Sequence, residues 1–457
     1  MRHVTVMTLT ASVGLMAIFF VDFINLFYIS LLGETELAAA IGYAGTVFYF
    51  TFSLCIGLMV ATAALTAKAL GPGNREEARQ IGGSALVLVG LVTITAVAIL
   101  MPLLGNVLDL LGATGRAHKI AHGYLLIVIP SLPILGVGLG FSGLLRAEGD
   151  ARRAMYVTLI GGITTAILDP ILIFWADLGV DGAAYASVAA RIAILIAGFY
   201  GASRIHNLVA MPNFARFRHD LGPLLAIGVP AVLTNMATPF GNGYVTAAMA
   251  SFGDSAVAGW AIIGRLIPVA FSVIFALSGA VGPILGQNFG AGKVDRVRQG
   301  FVDALKFTFF YVLAVWFLIW LGQDLIITVF GATGQTAFII GFFCTWAAGA
   351  FLFNGALFVA NASFNNLGYP TYSALFNWGR STLGVIPFVW LGSQWFGAAG
   401  VLAGHGLGAV LFGIAAVLVC LRKIKTLKVT EMPIDKPIAT PGAALSPFTT
   451  GKGGTAG

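Results

Sequence analysis

Between Leu325 and Gly379 the chain reads LIITVFGATGQTAFIIGFFCTWAAGAFLFNGALFVANASFNNLGYPTYSALFNWG, without one Asp, Glu, Lys or Arg. A helix needs about 20 mainly apolar residues to cross the hydrocarbon of a bilayer. The stretch is therefore too long for one crossing. Its obvious interruption is Asn365-Asn366-Leu367-Gly368-Tyr369-Pro370, a cluster of helix-breaking and turn-forming residues. The rest of the chain has the same character. Of its 457 residues 58% are hydrophobic and 9% charged, too few charges to cover so apolar a chain in water. The 59 glycines suit helices that approach closely within lipid. Cys55, Cys344 and Cys420 all fall in apolar stretches, which speaks against a disulfide framework.

Reading between charges and Gly/Pro/Asn clusters predicts twelve spans, near 8–32, 37–67, 81–104, 120–145, 155–175, 182–203, 224–250, 256–286, 303–322, 335–363, 371–392 and 397–420. A further break is expected near Leu391-Gly392-Ser393, and Pro230 and Pro239 are expected to kink the seventh span. The first apolar run has no small-residue cleavage site after it and reads as a retained helix. One set of loops carries Arg75, Arg79, Arg146, Arg152, Arg153, Arg204, Arg216, Arg218, Lys293, Arg296 and Arg298, and both termini join it. The opposite loops hold Glu34, Glu36, Asp109, Asp177, Asp181, Asp254 and Asp324, with only Arg116 and Lys119 against them. Positive charge stays in the cytoplasm, so both termini are expected there. The net charge of +7 is thus topological and does not point to nucleic acid.

The chain repeats itself at an offset near 219. Leu111-Gly112-Ala113-Thr114-Gly115 returns as Phe330-Gly331-Ala332-Thr333-Gly334, and Leu70-Gly71-Pro72-Gly73-Asn74 as Phe289-Gly290-Ala291-Gly292-Lys293. Gly33-Glu34 matches Gly253-Asp254, and Gly182-Ala183-Ala184 matches Gly397-Ala398-Ala399 at an offset of 215. Six helices per copy leave the copies in the same orientation, and the interface of such parallel repeats is the usual place for a midplane cavity. The expected organisation is an all-α polytopic membrane protein: a six-helix lobe over 1–203, a cytoplasmic linker over 204–222, a second six-helix lobe over 223–422 and a disordered tail over 423–457.

The run Gly286-Gln287-Asn288-Phe289-Gly290-Ala291-Gly292-Lys293, closing the eighth span, resembles the signature of the multidrug and toxic compound extrusion (MATE) family. Leu168-Asp169-Pro170 and Arg146-Ala147-Glu148-Gly149-Asp150 also resemble that family, and the likeness runs from about residue 10 to 420. It implies a V-shaped fold of twelve helices, a bacterial inner-membrane location, and export of cationic or amphipathic organic compounds in exchange for H⁺ or Na⁺. It implies a transporter and not an enzyme, and no cofactor beyond the coupling ion. A monomer is expected, in contact with lipid, the ion and small organic cations or drugs.

Two acids lie well inside the expected spans, Asp22 in the first and Asp169 in the fifth. A charge at the bilayer centre is expensive, so such a carboxylate is suited to taking a proton or wrapping a small cation. Asn25 shares a helix face with Asp22, and Thr165 with Asp169. Ser187 lies one turn from Arg191, which is read as a partner that sets the pKa of a first-half acid, as a snorkelling side chain or as a structural carbonyl contact. In the DinF-like branch that the resemblance points to, the ion site is a first-helix Asp, a fifth-helix Asp with a polar residue one turn before it, and a sixth-helix hydroxyl. Asp22, Asp169, Thr165 and Ser187 occupy those positions. That branch usually has Asn where Thr165 stands, and the loss of a carbonyl oxygen favours H⁺ over Na⁺. The competing reading of Asp169 is an Asp-Pro helix break, and that of Asn25, Thr165 and Ser187 is packing by interhelical hydrogen bonds.

No acid is expected inside a second-half span. Asn235, Asn242, Asn354 and Asn361 are the candidates to line a cargo cavity there, with Met236 and Phe240 as soft walls. Arg265 and Arg380 read as structural. His118 and His122 have metal-like spacing but no further ligand, so no metal site is expected, and Gly138, Gly140 and Gly143 read as packing glycines. An alternative function is a flippase for lipid-linked precursors, which calls for a strongly cationic cavity.

Overall fold

A computed structural model describes residues 35–427, apart from 112 and 114, and five isolated earlier positions, 5, 8, 9, 12 and 16. The first expected span, with Asp22 and Asn25, and the tail from Lys428 lie outside the described residues. Among the described residues ten helices are long and apolar enough to cross a membrane. The second span is Thr35–Leu70 and the third Arg75–Leu110. The fourth consists of Gly115–Val128 and Leu132–Glu148 around a 3-10 turn, Ile129–Ser131. The fifth is Ala151–Pro170 with a π-helical turn, Ile171–Trp175, and the sixth is Gly179–Phe199 with another, Tyr200–Ile205. The seventh is Phe214–Ala250, the eighth Asp254–Gly290 and the ninth Val294–Leu321. The tenth, Gly334–Thr345 and Phe351–Asn366, is interrupted by the 3-10 turn Ala347–Ala350. Pro370–Ser381 and Ile386–Lys425 complete the membrane region. The outward faces are apolar, as a lipid surroundings demands: Leu91, Ile94 and Ile99 are exposed on the third span, and Phe310, Phe317 and Leu318 on the ninth.

The backbone itself repeats. Gly73, Gly115 and Gly149 have φ of 85°, 58° and 91°, and Gly292, Gly334 and Gly368, each 219 residues later, have 70°, 55° and 88°. Only glycine enters this left-handed region freely, so these positions mark where each copy must turn. Gly179 (φ 54°) answers to Gly397 (φ 58°). The equivalent of Gly182 is therefore Gly400, not Gly397. A methyl group on Gly182 would meet the Leu172 carbonyl oxygen at 2.6 Å, and one on Gly400 the Gly392 carbonyl oxygen at 1.9 Å, so both sit where one helix crosses its predecessor.

Several expected breaks move. Gly392 stays helical, because it is the packing partner of Gly400, and the chain turns at Gly397 instead (φ 58°, ψ −140°). The seventh span is continuous through Pro230 and Pro239, whereas Phe271 of the eighth, three residues after Pro268, leaves the helical region (φ −112°, ψ 17°). Asp169-Pro170 does not end its helix either. Proline removes one N–H, and the chain answers by widening to the π turn. Of the stretch 204–222, only the part from 206 to 213 is non-helical; Leu208 is fully buried there and the Ala210 N–H donates to the Arg79 carbonyl at 3.1 Å. The second-half helices start earlier than expected, which takes Asp220 into the seventh and sets Asp303, at the expected edge of the ninth, well inside it. Asp220 and Asp303 lie in the seventh- and ninth-span helices, both buried, near their basic ends.

At that basic face the eighth-span signature clasps the second and fourth spans. A methyl on Gly290 would lie 2.1 Å from the Lys68 carbonyl oxygen, and one on Gly71 would lie 2.1 Å from that of Gln287. The two helix ends thus cross backbone to backbone, which glycine alone permits. The Gln287 side-chain amide donates to the Ala147 carbonyl, and Lys68 lies over the Phe289 ring at 5.5 Å. After Gly292 the Lys293 N–H closes the helix by donating to the Asn288 carbonyl at 2.8 Å. Beside the clasp, Ser84 of the third span donates to Asp220 of the seventh at 2.7 Å.

Candidate functional site

Asp169 sits one residue before the proline and π turn of the fifth span. Its side chain is 1% exposed, and Oδ1 has no hydrogen-bond partner among the described residues. Thr165, one turn earlier, turns its hydroxyl to the Gly161 carbonyl at 3.2 Å. Gly161 lets the sixth span approach, since a methyl there would overlap Ile194. On that span the Ser187 hydroxyl is 3.5 Å from the Tyr124 hydroxyl. No hydrogen bond joins Asp169, Thr165 and Ser187 to one another among the described residues.

Arg191 has a different occupation. The 3-10 turn of the fourth span has Leu132 N–H donating to Ile129, which frees the Val128 carbonyl. Arg191 Nη1 donates to that carbonyl at 2.8 Å and to the Ser131 hydroxyl at 2.9 Å, with the guanidinium 5.6 Å from the Phe48 ring centre. Of its expected roles, the carbonyl contact is the one present among the described residues. Its ion pair with a first-half acid is absent among the described residues.

In the second half the candidates fall into two groups. On the seventh span the Asn235 amide donates to the Ala231 carbonyl at 2.8 Å, Asn242 is exposed, and Met236 is half-buried. Phe240 packs on Trp378 of the eleventh span, with ring centres 5.5 Å apart, and the Trp378 indole N–H donates to the Leu233 carbonyl at 3.0 Å. On the tenth span Asn354 is half-buried, and Asn361 is 7% exposed with Oδ1 unpartnered among the described residues. Ser373 donates to the Asn361 carbonyl at 3.1 Å and to Asn365 Oδ1 at 3.0 Å, and Asn377 donates to the Ser373 carbonyl at 2.8 Å. No hydrogen bond links the seventh-span asparagines to those of the tenth among the described residues.

One turn beyond Asn377 lies Arg380, which sequence reasoning set aside as structural. It is 5% exposed, with Nη2 donating to the Thr238 hydroxyl at 3.2 Å and the Ser381 hydroxyl at 3.4 Å. Its Nε has no partner, and no acid pairs with it among the described residues. The signal was available in the sequence. Arg380 is the first charge after the long neutral run from Leu325.

A family model named MatE matches residues 11–171 and again 230–391. The chain belongs to the MatE family. The double match falls once on each repeat, and the eighth-span signature resembles this same family. As a MatE protein it is a multi-pass membrane transporter and not an enzyme. Similar proteins include the FAD transporter of Shewanella oneidensis, 27% identical over 93% of this chain and 95% of that one. Multidrug export protein MepA of Staphylococcus aureus is 23% identical over 90% of this chain and 91% of its own. A crystal structure of the Vibrio cholerae MATE transporter VcmN in its bent form superposes with a TM-score of 0.86 at 24% identity, covering 93% and 97% of the two chains. The fold is thus that of the MatE transporters, twelve helices in two parallel six-helix repeats.

Proposed function

We propose that this MatE protein exports amphipathic organic compounds across a bacterial inner membrane by alternating access, driven by protons entering through Asp169, with both chain ends in the cytoplasm. The observation that carries the reading is the buried carboxylate oxygen of Asp169, which has no hydrogen-bond partner among the described residues. A charged or unpaired polar group in that position is costly unless something binds it, and a proton is the smallest thing that does. Thr165 supports the proton over Na⁺, because it brings a hydroxyl, already donating to Gly161, in place of a carbonyl oxygen. Asp22, Asn25 and Ser187 complete the proposed ion site.

Of the two cargo classes expected from the sequence, amphipathic fits the second-half surfaces better than cationic. The exposed Phe240 on Trp378 offers an aromatic platform, the asparagines offer hydrogen bonds, and the charge beside them is positive. The likeness to MepA supports drug-like cargo, and the likeness to the FAD transporter supports cargo with an aromatic ring system and polar groups.

The test is transport by the purified protein in proteoliposomes under an imposed pH gradient or Na⁺ gradient. Each pH unit supplies about 1.4 kcal/mol per proton. Wild-type export is expected to follow the pH gradient, and Asp169→Asn is expected to insert normally and lose at least about tenfold of gradient-driven export. Export driven only by Na⁺ refutes the proton assignment, and wild-type export by Asp169→Asn refutes the role of Asp169.

A further inference from the structure

We propose that Arg380 is an anion-recognition point in the cargo site, so that the preferred cargo carries a carboxylate or phosphate. This deepens the export reading above and rests on it for the word cargo. A guanidinium keeps its charge in any protein environment and offers five N–H donors in a fixed fork. Here two hydroxyls, those of Thr238 and Ser381, receive hydrogen bonds from Nη2 alone. Nε is buried without a partner, and Nη1 makes no hydrogen bond among the described residues. A buried charge needs a counter-charge, and none of the described acids supplies one. Arg191, half-buried in the sixth span, differs on this point, since a freed backbone carbonyl, a hydroxyl and an aromatic face satisfy it.

Arg380 lies where the eleventh span meets the seventh. Thr238 and Gly241 of the seventh span close one side, Gly241 packing on Ser381. Two residues from Arg380 and Thr238, respectively, stand Trp378 and Phe240, the latter 51% exposed. Residues two apart on a helix do not share a face, so the Trp378–Phe240 pair lies on the other flank of this helix contact from Arg380. A cation placed at Arg380 meets a like charge with no acid to offset it among the described residues.

Riboflavin and flavin mononucleotide differ only by a phosphate, which makes them a matched pair of probes. Binding is read by flavin fluorescence quenching with the full-length protein in nanodiscs of zwitterionic lipid, and transport in proteoliposomes of the same lipid. The wild type is expected to bind the mononucleotide at least about tenfold more tightly than riboflavin. Arg380→Gln is expected to collapse that ratio to near one, and Arg380→Lys to retain part of it. A ratio that survives Arg380→Gln, or a wild type that binds riboflavin or ethidium in preference to the mononucleotide, overturns the proposal. So does a wild-type ratio abolished by adding phosphatidylglycerol, because the anion Arg380 holds is then a lipid headgroup. Should Arg380→Gln fail to fold, the wild-type ratio and Arg380→Lys decide. Phosphate-dependent binding through Arg380 without transport of any probe leaves the recognition standing and refutes the export reading instead.

Discussion

Asp150 and Asp169 begin and nearly end one helix, and their neighbours give them opposite work. Asp150 caps the fifth span, accepting the Arg153 N–H at 3.0 Å, pairing with the Arg153 side chain and meeting His206 Nε2 at 2.7 Å. Burial works to raise its carboxyl, but the hydrogen bonds from the Arg153 backbone, His206 and the Arg153 side chain prevail and hold it below the usual carboxylate range. A depressed folded-state value means a stabilisation fully present above the ordinary carboxylate pKa and lost as pH falls through the folded value. Asn caps a helix as well as Asp, so Asp150→Asn is expected to keep the cap and lower the thermal midpoint at neutral pH by the equivalent of about 1 kcal/mol through the lost charge-assisted contacts with Arg153 and His206. Acidification from pH 5 to pH 3 is expected to destabilise the variant less than the wild type. Parallel melting curves for the two proteins over that range would show that Asp150 contributes nothing through its charge. Asp169, by contrast, stands out in the sequence as a candidate functional acid because a carboxylate in an apolar run has few other reasons to be there. Arg380 does not, because a charge in a sequence does not disclose its partners. Whether a guanidinium is satisfied depends on Thr238, 142 residues away, and on acids that are absent from its surroundings among the described residues.

Element boundaries divide in the same way. The long neutral run was correctly split near Asn366, where Gly368 turns left-handed and Pro370 starts the next helix. Gly392 misled because a glycine in sequence serves a turn and a close crossing equally well, and here it serves the crossing. The 3-10 turns at Ile129–Ser131 and Ala347–Ala350 stood at equivalent places in both copies, yet only the first contains a proline to announce it. The clasp at the basic face gives an element-scale prediction. Gly290→Ala pushes a methyl against the Lys68 carbonyl, an overpacking that costs about 1–3 kcal/mol. The thermal midpoint is expected to fall, and a cysteine at the fully buried Ala67 to become reactive toward a membrane-impermeant thiol reagent. Native Cys55, Cys344 and Cys420 are buried and give a low background. If Gly290→Ala leaves both readouts where they were, the crossing does not hold that face closed.

For the molecule as a whole, the two ends of the helix array carry different markers. Lysines and arginines gather at one, and exposed Trp175, Trp320 and Trp395 lie toward the other, where indoles favour the headgroup layer. With the basic end in the cytoplasm, a reporter active only in the periplasm should stay silent when fused after Arg422 and signal when placed near Asp254. The reverse pattern inverts the orientation and, with it, the direction of transport. The left-handed glycines carry a different message, about ancestry. The turning points recur 218 or 219 residues apart, but the positions equivalent to Asp169 and Arg191 hold Phe388 and Ala409, and the position equivalent to Arg380 holds Gly161. A duplication has been held to its geometry while its chemistry drifted apart. On the function proposed above, one copy is then free to keep the ion while the other changes what it carries. New cargo becomes reachable by substitutions confined to a single half, and the energy source is left untouched while the pump acquires a new trade.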